Sequence, residues 1–292
     1  MRFFITLSAV WLSGFVPAFA AEEGGAHEGL PLHAQRIFEN LPLTNSMVMS
    51  WVATLVVILI ARIATGKMTL VPSGLQNFAE WVVESLYGFL EGILGAHLVK
   101  RTFWFFGGVF VLILCSNWIG LVPGVGTFGR LVEQNGHESF IPYFRGGNAD
   151  LNMTAALAVV ATVLWFYWAL TENGVGGFLK HIFAPKGEFN GFMKVMMIVI
   201  FFLVGIIEVF SILLRPVALS FRLFGNIYAG ENMLELMMGM VKNPYFKFLP
   251  ALPFYFLELL VGFIQALVFM LLTSVFLQLI CSHGDDHHEK AH

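Results

Sequence analysis

The sequence predicts an all-α integral membrane protein with about five membrane helices, an amphipathic surface helix, and a final pair of long, steeply tilted helices that form a hairpin. Composition is the first observation. Of the 292 residues, 58% are hydrophobic and 12% are charged, and the mean hydropathy is +0.77, whereas soluble domains carry about 25% charged residues. Five apolar segments are also long enough to cross a bilayer. A sixth segment, between the first two, is amphipathic.

The chain begins with a segment typical of a secretory signal peptide. Residues 1–21 carry a basic Arg2, a short apolar core and a small-x-small ending formed by Ala18 and Ala20. The short core favours cleavage over the alternative, an uncleaved first membrane helix. Residues 22–45 are polar and contain glycine and proline, so we expect this segment to be extracytoplasmic, outside the membrane.

A single membrane domain is predicted over residues 46–282. Its first three spans have the length of an upright helix, about 20 residues for a hydrocarbon core about 30 Å thick. They cover residues 47–64, 103–122 and 151–170.

The fourth and fifth apolar segments, residues 189–240 and 252–281, are too long for upright spans. Some 50 helical residues measure about 75 Å at 1.5 Å per residue, so these segments must tilt, bend or break. Bends in the fourth are predicted at its proline and glycines, at Pro216, Gly225 and Gly230. We expect the hairpin to turn at residues 242–253.

Residues 73–95 predict an amphipathic helix that lies at the membrane surface or against a partner. Apolar residues recur at helical spacing, at Leu75, Phe78, Ala79, Val82, Leu86, Phe89, Leu90 and Ile93. Polar residues fall largely on the other side. Ser73 and Gln76 predict a capping box at the start of this helix.

Lysine and arginine in the short loops predict the orientation. Basic residues flank one side of the spans at Arg62, Lys67, Lys100, Arg101, Lys180 and Lys186, and the other side at Arg36, Arg130, Arg145, Lys242 and Lys247. This small excess and the signal-like segment both place the mature N-terminus outside and the C-terminus in the cytoplasm. The tail, residues 283–292, is rich in histidine, and we expect it to be solvated rather than a metal site.

Arg222 stands near the middle of the fourth apolar segment. Arginine is effectively always charged, and placing it in a bilayer costs roughly 2.5–3.5 kcal/mol on insertion scales. A charge at this depth predicts a functional site. The alternative, a snorkelling anchor near a helix end, fits less well because the sequence stays apolar on both sides.

Glu208, Arg215 and Arg222 are seven residues apart, which places them on one stripe of a regular helix. Asn226 adds a polar group one turn beyond Arg222. Glu231 points away from that stripe unless the glycines unwind the helix. A carboxylate on each side of a fixed positive charge suggests two water-accessible half-paths. The alternative for the first two residues is an internal salt bridge between Glu208 and Arg215.

The fifth segment holds Glu258 and Gln265 deep in apolar sequence. They are seven residues apart and therefore share a face of the helix. Glu258 could share a proton with Glu231, because two adjacent carboxylates do not both ionise cheaply. Alternatively, the polar residues hold the hairpin together by hydrogen bonding. Transport is favoured, since carboxylates without a role are rare at this depth.

The run RPVALSFRLFGNIYAGE, residues 215–231, resembles the signature of subunit a of F-type ATP synthases. The resemblance implies that Arg222 is the family's essential arginine, Asn226 its asparagine and Glu231 its outer-channel carboxylate. The last helix contains FIQALVFMLLTSVFL, which is similar to the family's final motif and supplies Gln265.

Other parts of the chain extend the resemblance over residues 47–279. NWIGLVPG and ADLNMTAALA also look like the family, and Asp150 in the second is either a helix N-cap or part of the outer channel. The resemblance assigns Glu208 to the cytoplasmic half-channel. Glu258 stands where some members carry histidine, which implies the same proton-relay role. Family members combine a transmembrane helix, a surface helix, a further helix pair and a tilted hairpin.

The resemblance implies a stator subunit in a bacterial inner membrane, with c-ring subunits, the peripheral-stalk subunit b and the lipid bilayer as partners. A proton would reach a ring carboxylate through an outer path lined by Asn226, Glu231, Glu258 and Gln265. It would leave near Glu208 after that carboxylate meets Arg222. No catalytic site, cofactor, metal site or nucleic-acid partner is predicted.

Two other function classes fit the sequence less well. A secondary transporter usually carries internal repeats around a midplane substrate site, and no repeat is visible. An intramembrane hydrolase needs a nucleophile with its base, whereas every histidine lies outside the apolar spans. The sequence also contains no Walker A loop, so we expect no nucleotide site of that kind on this chain.

Overall fold

The computed structural model describes residues 34–37, 43–66, 68–126, 128–134, 137–183, 192–240, 246 and 248–281. Within them, five helices are long and apolar enough to cross a membrane, which confirms the all-α membrane fold. These are α1 (Asn45–Thr65), α2 (Leu75–Gly120), α3 (Leu151–Phe183), α4 (Phe192–Gly239) and α5 (Phe248–Cys281). The signal-like residues 1–21 and the tail 283–292 lie outside the described residues.

Helix α1 begins at a side-chain cap and presents two different faces. The Thr44 hydroxyl accepts a hydrogen bond from the backbone N–H of Met47, which satisfies one of the amides that a helix start leaves unpaired. Met49, Ala53 and Val57 are buried, at the four-residue spacing of one helix face. Leu55, Leu59 and Ile63 are exposed, as expected for a lipid-facing side.

Helix α2 is two helices joined at Gly95, where φ is 78° and ψ is 161°. Side-chain-bearing residues rarely adopt this conformation, so the glycine sets the position of the kink. The first arm, residues 75–94, is the predicted surface helix, and its predicted end is correct. The predicted capping box is wrong: the N-cap is Gly74, and the Gln76 side chain binds the backbone of Thr69 instead. The glycine leaves no side chain to cap the helix.

Two of the spans extend beyond their apolar cores. The second arm of α2 covers residues 96–120 and includes Lys100 and Arg101, which hydropathy alone excluded. Helix α3 continues to Phe183 through a kink at Gly174, where φ is 67° and ψ is 164°. Arg101 forms an ion pair with Glu172 across the two helices, so these charged ends support each other at the membrane boundary.

The α2–α3 connection contains strands, which the sequence analysis did not predict. They are β1 (Pro123–Gly126), β2 (Gly129–Gln134) and β3 (His137–Pro142), and β2 pairs antiparallel with β3, Gly129 opposite Pro142. The dipeptide Asn135–Gly136 between them is typical of two-residue hairpin turns. This local signal was missed because the prediction rested on hydropathy and helical periodicity.

Helices α4 and α5 form the predicted hairpin. Helix α4 contains Pro216 within its 48 residues, about 72 Å at 1.5 Å per residue. Helix α5 begins at Phe248, five residues before the predicted limit of the turn at residue 253. Pro250 lies in its first turn, where a missing N–H breaks no intrahelical bond.

The core lies among α2, α3 and α5, and α4 packs at its edge. The largest fully buried side chains there are Phe105, Phe106, Ile113, Phe269, Met270 and Leu277. Only 11% of the residues in the most apolar stretch of α4 are buried, against 56% in α2. Helix α4 therefore presents a long open face.

Candidate functional site

Arg222 lies on the open face of α4. Its side chain is exposed, and among the described residues no carboxylate forms an ion pair with it. The large residues along this face are apolar and also exposed: Phe210, Leu213, Leu214, Val217 and Phe221. The guanidinium therefore points out of the chain, from the middle of an apolar surface.

One turn beyond Arg222, the two hairpin helices are joined by a polar contact. The Asn226 side-chain amide donates to Oε1 of Gln265 over 2.7 Å, and Gln265 is 4% exposed. The structure thus brings together two residues that the sequence analysis selected on separate helices. The contact also fits the alternative role, in which polar residues hold the hairpin together by hydrogen bonding.

Glu231 faces the α2–α3 connection rather than the Arg222 face. Arg145 Nε lies 3.5 Å from Glu231 Oε2, and the backbone N–H of Gly146 also donates to this carboxylate. The Arg145 guanidinium lies 6.0 Å from the centre of the Tyr228 ring, within cation–π range.

In the sequence, Arg145 is recognised only as one of the basic loop residues that predict orientation. Its contact with Glu231 is not predicted. The available signal is an arginine six residues before the apolar span that begins at Leu151. Nothing local to that position reveals a partner on α4.

Glu258 is buried, at 5% exposure, and its carboxyl group occupies the space that a side chain at position 230 would fill. Gly230 is therefore required where α5 passes α4. Glu231 is close enough to Glu258 for their charges to interact. The two carboxyl groups and Arg145 form one cluster near the α4–α5 turn, and a shared proton between Glu231 and Glu258 stays a prediction.

The segment that carries Arg145 is buried throughout residues 145–150. Asp150 Oδ1 accepts from the backbone N–H of Asn152, which fits the predicted N-cap of α3. Its other oxygen accepts from the Ser46 hydroxyl over 2.8 Å. Asp150 therefore ties the connection to the starts of α1 and α3.

The same segment is also tied to α2 and α5. The Asn148 amide donates to Asn117 Oδ1 over 2.7 Å, and the Asn117 amide donates to the Gly262 carbonyl over 3.0 Å. Trp118 Nε1 donates to the Leu259 carbonyl. These contacts explain why the NWIG run carries polar residues at the end of an apolar helix.

Toward the other end of α4, Glu208 and Arg215 form the ion pair that the sequence analysis considered. Arg215 Nη2 lies 3.0 Å from Glu208 Oε1. The Arg215 guanidinium also lies 4.2 Å from the centre of the Phe276 ring and 5.6 Å from that of Trp165. These aromatic faces hold Arg215 against α3 and α5, so the predicted stripe separates: Arg215 packs inward, whereas Arg222 faces outward.

The polar groups form two sets on opposite sides of Arg222. Glu208 precedes Arg222 by about 21 Å along the helix axis, and Glu231 follows it by about 13 Å, at 1.5 Å per residue. Within the described part of the chain, no group of three or more His, Cys, Asp or Glu side chains could hold a metal ion. The carboxyl groups of both sets can exchange protons.

Comparisons with known proteins match this architecture. The family model for the ATP synthase A chain matches residues 47–278. ATP synthase subunit a of Gloeobacter violaceus is 32% identical over 280 residues, 94% of this chain and 97% of the relative. Its namesake in Desulforamulus reducens is 30% identical over 84% of this chain and 82% of that relative. The namesake in Solidesulfovibrio magneticus is 28% identical, over 92% of this chain and 97% of its own length. The chain therefore belongs to the ATP synthase A chain family.

Proposed function

We propose that this chain is the proton-conducting subunit a of an F-type ATP synthase, in which two offset half-channels load and unload the carboxylates of a rotating c-ring. The observation that carries the proposal is the exposed Arg222 on the open apolar face of α4. A permanent charge at this depth is costly in lipid. A neighbouring subunit that brings a carboxylate to the guanidinium offsets that cost.

The cluster near the α4–α5 turn supports an outer half-channel. Glu231 and Glu258 supply carboxyl groups that can exchange protons, and the Asn226–Gln265 contact continues the polar groups toward Arg222. The roles follow from chemistry: carboxyl groups accept and release protons, whereas amides orient water and side chains without titrating.

Glu208 supports an inner half-channel on the opposite side of Arg222. Its side chain is 42% exposed, so the carboxylate is not enclosed by the chain and is open to exchange with groups outside it. Arg215 holds one of its oxygens and thereby fixes the direction of the group. A proton released from the ring beside Arg222 leaves through Glu208 to the cytoplasm.

The two half-channels couple proton flow to rotation because lipid favours the protonated form of each ring carboxyl group, whereas Arg222 favours the ionised form. A carboxyl group protonated from the outer path is neutral and can turn into lipid, which excludes the charged form. On reaching Arg222 it is favoured as the carboxylate and loses its proton. The driving force is about 2.3 kcal/mol per elementary charge per 100 mV.

The proposed function also implies a location and an orientation for each part of the chain. Residues 46–282 form the membrane domain in a bacterial inner membrane, with residues 22–45 outside and the tail, residues 283–292, in the cytoplasm. Residues 1–21 act as the signal peptide. The peripheral-stalk subunit b holds the chain stationary, and the lipid bilayer and the c-ring cover its apolar faces.

The decisive test is Arg222→Ala in the complete complex. ATP-driven proton pumping in inverted membrane vesicles falls at least 100-fold, because the ring carboxylate loses the charge that releases its proton. Arg222→Lys is also poor, since a buried lysine can lose its charge whereas arginine cannot. Arg62→Ala is the control, because Arg62 is an exposed arginine in the last turn of α1.

The result counts only at equal amounts of assembled complex, measured by quantifying the subunits in the purified membranes. Normal pumping by Arg222→Ala under that condition overturns the proposed function. Normal pumping by Arg62→Ala shows that loss of an arginine in itself is tolerated.

A further inference from the structure

We infer that Arg145 is a positioning residue for proton transfer: it holds the Glu231 carboxylate in place from the loop between α2 and α3. The inference rests on the proposed function, because it assumes that Glu231 belongs to the outer path. It adds a residue outside the hairpin to the transport machinery.

The burial of Arg145 is the first argument. Residues in connections usually lie on the surface, yet Arg145 is 4% exposed and the five residues after it are also buried. A buried guanidinium requires an opposite charge or several acceptors to offset the loss of water. The nearby carboxylate is that of Glu231, whose Oε2 lies 3.5 Å from Arg145 Nε.

The second argument is the way in which Glu231 is confined. Arg145 and the Gly146 N–H hold its carboxylate from the loop side, while Glu258 approaches from α5. A Cβ atom on Gly146 would lie 2.5 Å from Glu231 Oε1, so the loop backbone can approach only because this residue is glycine. Two adjacent carboxyl groups repel when both are ionised, and one fixed cation keeps Glu231 at its position.

The third argument is that the loop itself is anchored. Asn148 is held by Asn117, and Asp150 is held by Ser46. Both anchors are buried side chains on other helices. Arg145 is thus placed by a rigid frame, as a group that orients a proton-transfer residue must be.

The competing explanation is that Arg145 only fills space and keeps the loop folded. Two substitutions separate these roles. Methionine has similar length and no charge, so Arg145→Met preserves the packing, whereas lysine has the charge and no planar fork, so Arg145→Lys preserves the electrostatic interaction. Arg36→Met is the matched control, since Arg36 is an exposed arginine at the same end of the bundle.

The experiment measures ATP-driven proton pumping, and passive proton conduction after removal of the catalytic sector, in vesicles with equal amounts of assembled complex. We expect Arg145→Met to lower both rates at least 10-fold and Arg145→Lys to stay within about 3-fold of the parent. Arg36→Met stays within 2-fold. If Arg145→Met conducts like the parent, or if Arg145→Lys fails as severely as Arg145→Met in assembled complexes, the positioning role is wrong.

Arg222→Ala is measured in the same series, so that the two proposals fail separately. Loss of pumping in Arg222→Ala with normal pumping in Arg145→Met overturns the role of Arg145 and leaves the proposed function intact. Normal pumping in Arg222→Ala overturns the proposed function itself. If neither Arg145→Met nor Arg145→Lys yields an assembled complex, Arg145 is assigned to folding. If Arg145→Lys assembles and Arg145→Met does not, the result supports the charge-based role.

Discussion

Gly230 decides how closely α4 and α5 approach, because the Glu258 carboxyl group fills the space beside its Cα atom. Among the glycines of α4, only Gly230 has a carboxyl group at the place of a Cβ atom. Gly239, on the same helix, has no atom within 4 Å of a Cβ built on it. The two glycines therefore separate the effect of contact from that of helix propensity.

We predict that Gly230→Ala lowers proton pumping at least 10-fold at equal complex abundance. The added methyl group displaces the Glu258 carboxyl group or separates the helices, and such overpacking typically costs about 1–3 kcal/mol. Gly239→Ala is the control and stays within 2-fold. Pumping assays on purified vesicles measure both, and unchanged activity in Gly230→Ala contradicts the proposed path through Glu258.

Arg222 and Arg215 show how two arginines seven residues apart acquire different surroundings. Within the chain, Arg215 forms an ion pair with Glu208 and packs on the Phe276 ring. Arg222 has no such carboxylate among the described residues, and on the proposed function a ring carboxylate from outside the chain pairs with it. The spacing of the two arginines was readable in the sequence, but which one turns inward depends on the packing of α3 and α5.

At the scale of elements, two glycine kinks shape the bundle. Gly95 separates the surface helix from the second span, and Gly174 bends α3 near the end of its apolar core. Both have positive φ angles, where a side chain is strained. The kinks let each long helix change direction without a break in the chain.

We predict that Gly95→Ala lowers the thermal stability of the purified complex. A residue held in a conformation that favours glycine costs about 1–3 kcal/mol, and straightening the kink instead would detach the surface helix. Gly92→Ala is the control: this glycine lies three residues earlier and has no atom within 4 Å of a built Cβ. The measurement is the midpoint of thermal unfolding, and equal midpoints for the two variants contradict the role assigned to the kink.

The elements differ in how well the sequence predicts them. Five spans, the surface helix and the hairpin follow from hydropathy, periodicity and length, which are local properties of the chain. The buried segment at residues 145–150 does not, because its position depends on contacts with distant helices, whereas the β2–β3 hairpin has a local turn signal that hydropathy and helical periodicity do not detect. Arg145 illustrates this: its partner Glu231 lies 86 positions later in the chain, and no spacing rule links them.

At the scale of the whole molecule, the two polar clusters lie in opposite halves of the helix bundle. The starts of α1, α3 and α5 and the ends of α2 and α4 lie on one side, where the connection with Arg145 and Asp150 is buried between them. Glu208 and Arg215 belong to the other half. Because the described residues contain five spans in sequence, Thr44 before α1 and Cys281 at the end of α5 lie at opposite ends of the bundle, and the proposed orientation puts the Arg145 side outside.

We predict that a cysteine at Ser73 is labelled only from the cytoplasm and one at Phe128 only from outside. Both residues are exposed, Ser73 before the surface helix and Phe128 between β1 and β2. The background is a variant in which Cys115 and Cys281 are replaced by serine. Membrane-impermeant maleimide on intact spheroplasts and on inverted vesicles gives the readout, and the reverse labelling pattern contradicts the proposed orientation.

The open face of α4 also bears on biogenesis. On the proposed function, a newly inserted copy that has not yet met its rotor leaves the Arg222 guanidinium against acyl chains, where a charge is costly, and we expect that copy to be less stable than an assembled one. Abundance of the chain should therefore follow the supply of rotor subunits, falling when their synthesis is blocked.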